Sequence, residues 1–121
     1  MKTRVELKKD DGICLIYFDK NMDDAETSAF LKEFGKMDTE GIDKFVGIVP
    51  DEFRASERFR KQLHRKILDE SKSNPSFRVA VVTKLLHVVG YERFAKFVTK
   101  MLDKEQIFQN LDDALAWLKS A

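Results

Sequence analysis

Two histidines, His64 and His87, one cysteine, Cys14, and a basic run from Arg54 to Lys66 are the groups in this sequence best suited to chemistry or ligand contact. A zinc site needs cysteine or histidine partners at short spacing, and neither histidine has them. No serine stands in a glycine-flanked turn that would expose a nucleophile. There is no phosphate-cradling glycine loop and no dinucleotide fingerprint. The expectation is a protein without a catalytic signature, cofactor or metal. His87 is the titratable residue of most interest. It lies in TKLLHVVGYERF (83–94), just after an apolar strand, where open α/β sheets present their ligand sites. It reads either as a partly buried histidine bonded to backbone, or as a polar contact inside an apolar pocket or a proton-sensitive latch.

The basic run holds six cations, Arg54, Arg58, Arg60, Lys61, Arg65 and Lys66, against one acid, Glu57. On a helix, Arg54, Arg58, Lys61 and Arg65 share a face at spacings of four, three and four. That face could dock an anionic group, but Asp51, Glu52, Asp69 and Glu70 bracket the run and a solvated helix surface is the usual outcome of such a pattern. No exposed aromatic platform accompanies it, so nucleic acid is not expected. Over the whole chain, 22 basic residues balance 21 acidic ones, which gives no long-range pull on a polyanion.

The elements that must position these groups follow from periodicity. Val5 and Leu7 alternate with charged residues, Asp11-Gly12 marks a turn, and residues 13–18 run continuously apolar, which predicts an opening hairpin. Asp23 with Glu26 caps a helix carrying Phe30, Leu31, Phe34 and Met37, with Gly41 beyond its stop. Residues 45–49 form a short buried strand closed by Pro50. A long helix is expected from about Phe53 to Ser71, with Ala55, Phe59, Leu63 and Ile67 as its buried stripe and Ser56 in its first turn. Residues 77–82 are a buried strand, and Phe94, Ala95, Val98, Met101 and Leu102 give a further helical stripe. A short strand over 106–109 and an Asn110-capped helix carrying Leu111, Ala114, Leu115 and Leu118 close the chain. The order ββαβαβαβα implies mostly parallel pairing in one α/β domain spanning 1–121, with an antiparallel edge hairpin and helices flanking the sheet.

With 121 residues and 43% hydrophobic content, one domain with a sizeable core is expected. A single cysteine forms no internal disulfide, and Cys14 reads as a small buried side chain. No run approaches the roughly 20 apolar residues of a membrane span, and no signal-peptide core is visible, so the expected location is cytoplasmic.

Three stretches carry a resemblance to a known family. FRVAVVTKLLHVVGYERFAKFV, EQIFQNLDDALAWLKSA (with Ala114, Trp117 and Leu118 as its closing-helix signature) and GICLIYFDKNMDDAETSAFLKEF resemble the SpoIIAA-like (STAS/SEC14-type) bacterial domains. The resemblance implies a STAS-like fold. Relatives of the SEC14 type bind lipids, and STAS modules bind partner proteins or nucleotides. The acidic-serine-serine-glycine motif of phosphoregulated members is not matched in VPDEFRASERF, where Ser56 stands alone, and the usual glycine late in the second strand is missing from YFDKNMDD.

The segment Leu85, Leu86, His87, Val88, Val89, Tyr91, Phe94, Phe97 and Met101 has more apolar surface than one sheet-covering stripe needs. A partner contact explains the surplus, with a homodimer as the least demanding form. The leading expectation is therefore a non-enzymatic interaction module that self-associates and binds a protein partner. The alternative is a carrier or sensor of a lipid-like or other apolar small molecule, with Leu85 to Val89, Phe94, Phe97 and Met101 lining its pocket and Arg58, Lys61 or Arg65 holding any anionic head. Plain intradomain packing also accounts for part of the segment, and an enzyme comes third.

Overall fold

The computed structural model describes residues 1–84 and 105–120. Strands β1 (Arg4–Lys8) and β2 (Ile13–Tyr17) form the expected antiparallel hairpin, with Lys8 opposite Ile13. The link is a 3-10 turn over Lys9–Asp11 followed by Gly12 at φ 67°. A side chain at Gly12 would also meet Asp43 Oδ1 at 3.1 Å and the Gly41 carbonyl at 3.2 Å. The Gly12 carbonyl accepts from the Asp43 and Lys44 amides, which fixes the hairpin to the next strand.

Beyond the hairpin come β3 (Asn21–Met22), α1 (Asp24–Gly35), β4 (Lys44–Ile48), β5 (Arg54–Ala55), α2 (Glu57–Ser73), β6 (Arg78–Val82), β7 (Glu105–Phe108) and α3 (Leu111–Lys119). The main sheet runs β1-β2-β4-β6-β7, parallel in every pair except β1 with β2. It is a mixed α/β domain with a mostly parallel sheet. The helix expected around Phe94 to Leu102 falls outside the described residues.

Because strand side chains alternate, the sheet has two apolar faces and needs cover on both. Ile13, Leu15, Val46, Ala80 and Val82 point to one face, where α3 seals them with Ala114 and Leu118. Cys14, Ile16, Phe45, Val79 and Val81 point to the other, beneath α1 and α2. Burial there pushes the Cys14 thiol up to about 12, so it stays protonated at neutral pH. Asn110 caps α3 by accepting from the Asp113 amide at 2.9 Å. Trp117 stacks near Phe108 and lies under the Arg78 guanidinium, 4.9 Å from its ring centroid.

The helix starts need one correction. The long helix begins at Glu57, not near Phe53: Ser56 is its cap, with Oγ accepting from the Phe59 amide at 3.1 Å. Ala55 therefore lies outside the helical stripe, and Arg54 lies off the helix altogether. Arg54 and Ala55 are instead paired in parallel with Asn21 and Met22. Pro50 and the positive φ of Glu52 turn the chain here, which makes room for the small second sheet. That sheet ties the starts of α1 and α2 together through Arg54 N–H to the Lys20 carbonyl and Ser56 N–H to the Met22 carbonyl.

Glu26 fastens the N-terminal segment, its carboxylate accepting from the Lys2 and Thr3 amides at 2.8–3.0 Å. Desolvation opposes its ionisation, but the Lys2 and Thr3 amide bonds outweigh it and hold the carboxyl below its ordinary range. A carboxyl depressed in the folded state contributes stability that is complete above the unfolded value and lost as pH falls through the folded one. Glu26→Gln removes that contribution. Wild-type and variant urea midpoints are therefore expected to differ at neutral pH and to converge on acidification below about pH 4. Parallel curves through the acid range would rule this out.

Candidate functional site

The helix-covered face of the sheet carries a gap in its centre. Parallel register places Ile16, Gly47 and Val81 in one row, so the middle strand offers no side chain between two aliphatic neighbours. Phe18, just past the end of β2, leans into part of that space. Its ring lies 3.1 Å from where a Cβ on Gly47 would stand. Phe30 from α1 and Phe59 from α2 meet the Phe18 ring edge-to-face at 5.7 and 5.2 Å between centroids, and Phe53 lies 6.4 Å from it. Further along, Phe45 sits between Phe34 and Phe77 at 6.4 and 5.6 Å.

What remains between α1, α2 and the sheet is a cavity of about 270 Å³ with these seven phenylalanines in its wall. Drug-sized sites begin near 300 Å³, and a cavity of about 150 Å³ lined by apolar side chains already admits benzene. The space thus suits a body of one or two rings, or a short alkyl chain.

Among the described residues of the lining, Thr27 has a buried side-chain oxygen without a partner. Thr27 is 1% exposed and its Oγ1 has no hydrogen bond. A helical threonine ordinarily bonds the carbonyl four residues back. Here the Asp23 carbonyl accepts only the Thr27 amide, at 2.9 Å. Toward the far end of the cavity stand Lys66 and Glu70, both exposed, with Lys66 Nζ 5.1 Å from the Phe34 centroid.

A second, open groove adjoins the first across Gln62 and is lined by Asp24, Ser56, Glu57, Arg58, Lys61 and Arg65. Three of the four basic residues singled out in the sequence meet here, and Arg54 does not. Lys61 is already paired with Glu57 at 3.0 Å and holds that carboxyl below its usual range. With Asp24 also present, the groove carries three cations against two acids. The Ser56 hydroxyl is committed to its cap.

Leu85, Leu86, His87, Val88, Val89, Tyr91, Phe94, Phe97 and Met101 all lie outside the described residues. His64 is half-buried on α2. Among the described residues no cluster of histidine, cysteine and carboxylate side chains could hold a metal, and no helix is long and apolar enough to cross a membrane. The cavity itself went unread in the sequence. Its signals were the ten phenylalanines, seven of which share this one space, and a glycine in the middle of a buried strand.

Fold and cavity together define a mixed α/β domain with a mostly parallel sheet and an aromatic-lined site on the face covered by α1 and α2. Compared with protein-family models, curated proteins and solved structures, the chain matches none.

Proposed function

We propose that the protein is a carrier or sensor that holds a small apolar or weakly polar molecule between α1, α2 and the sheet, without transforming it. The observation behind this reading is the phenylalanine-lined cavity of about 270 Å³. Protein interiors are normally packed to the density of organic crystals, so a space of this size at the centre of a sheet face calls for an occupant. Its Phe18 and Val49 end lies at the carboxyl ends of β2 and β4, the side on which open α/β sheets take ligands. The resemblance to SEC14-type domains implies the same broad ligand class. The neighbouring groove gives less support to an anionic headgroup, because Asp24 and Glu57 offset its basic side chains.

A compact aromatic probe tests the reading. Saturating 2-naphthol is expected to raise the melting temperature of the wild type, since a ligand at 100 times its Kd adds about 2.7 kcal/mol to the native state. Gly47→Leu places a side chain in the cavity floor and is expected to remove the shift, with folding verified by circular dichroism. No shift in the wild type, or an equal shift in the variant, would defeat the proposal.

A further inference from the structure

Granting a ligand in that cavity, we infer that it carries a neutral hydrogen-bonding group, a hydroxyl or carbonyl, which meets Thr27 Oγ1. The site then selects such molecules over hydrocarbons of the same shape.

Buried hydroxyls are nearly always hydrogen-bonded, and leaving one unsatisfied is unfavourable. Thr27 is 1% exposed, is one of the cavity's lining residues, and its Oγ1 has no hydrogen-bond partner among the described residues. A water is a poor substitute, since a buried water needs two to four polar partners. On the same face of α1, one turn away, stand Phe30 and Leu31, which offer none.

The charge of the group follows from what surrounds it. A hydroxyl both donates and accepts, so Thr27 suits a hydroxyl or a carbonyl equally. A carboxylate would need a buried cation beside it, because an unpaired charge in an apolar wall is far more costly than a neutral dipole. Among the described residues of the lining the cation is Lys66, which is held over Phe34. Phe34 lies seven residues beyond Thr27 on α1, roughly 10 Å along the axis. Arg58 and Arg65 are exposed in the separate groove. The ligand therefore points a neutral oxygen toward Thr27 and its hydrocarbon body toward Phe45 and Phe77.

A matched pair of probes and two variants decide the point. Wild type is expected to bind 2-naphthol about tenfold more tightly than naphthalene in a fluorescence titration. Thr27→Val, which keeps the shape and removes the hydroxyl, is expected to bind the two within about twofold of each other. Thr27→Ser keeps the hydroxyl and is expected to retain the preference, which covers the case of a poorly folded valine variant. Equal binding of both probes by the wild type overturns the inference and leaves the cavity reading standing. A preference that survives in Thr27→Val also overturns it, because another group then reads the oxygen. Binding of neither probe overturns the inference and the cavity reading together.

Discussion

Leu118→Ala is expected to destabilise the protein by about 3 kcal/mol while leaving its affinity for 2-naphthol within twofold of the wild type. Leu118 is 0% exposed and sits on α3 against Ile13, Leu15, Val46, Ala80 and Val82. Removing three carbons from such a site forfeits their burial and leaves a void that a close-packed wall fills only in part. Measured losses for this change run from about 2 to 5 kcal/mol. For a domain of this length the melting temperature should fall by about 10 °C or more. The two-sided sheet is what separates stability from binding here. Leu118 packs on the face opposite the cavity, so its loss reaches the cavity only through the backbone of β2, β4 and β6. Urea unfolding monitored by Trp117, which lies one residue from the substitution, gives the first quantity and a probe titration gives the second. A loss of affinity matching the loss of stability would show that the two faces are not independent.

That independence also explains which parts of the molecule could be read in the sequence. The hairpin, the Asp23 and Asn110 caps and the buried strand ending at Val82 each depend on neighbours close in the chain, and periodicity and turn chemistry report those directly. The small sheet of Asn21–Met22 with Arg54–Ala55 left no trace, because two residues cannot show a period. It also displaced the start of α2. Ala55 stands four residues before Phe59 and fits a helical stripe by spacing alone, but its backbone is spent on pairing with Met22. The cavity was hidden for a different reason. Phe18, Phe30, Phe45, Phe59 and Phe77 sit on five separate segments, and each reads as the core residue of its own. Only the register of Ile16, Gly47 and Val81 shows that they converge on one unfilled space. The unpaired hydroxyl of Thr27 is likewise invisible until its neighbours are in place.

Phe59 is where the local and the convergent effects meet, and Phe59→Ala is expected to cost about 3–4 kcal/mol and to change what the cavity accepts. Its backbone amide is the donor to the Ser56 cap, so its position on the first turn of α2 is fixed by local chemistry. Its ring, 4% exposed, stands edge-to-face against Phe18 and against Phe53 at 5.2 and 5.9 Å between centroids. Truncation of a buried phenylalanine typically costs about 3–5 kcal/mol. Edge-to-face pairs add about 0.5–1.5 kcal/mol each beyond burial. The lower part of that range is expected here because Phe18 and Phe53 border an existing space and can relax into it. The cap survives, since it uses only the Phe59 amide, so α2 should keep its start and its helical circular dichroism. The void joins the cavity, and three-ring probes such as 2-anthrol should gain affinity relative to 2-naphthol. Phe59→Leu, which restores most of the volume, should return both stability and size preference toward the wild type. Unfolding midpoints and the ratio of the two probe affinities test these expectations together. A full loss of stability with an unaltered probe ratio would mean that Phe59 holds the helix in place without forming a wall of the binding space.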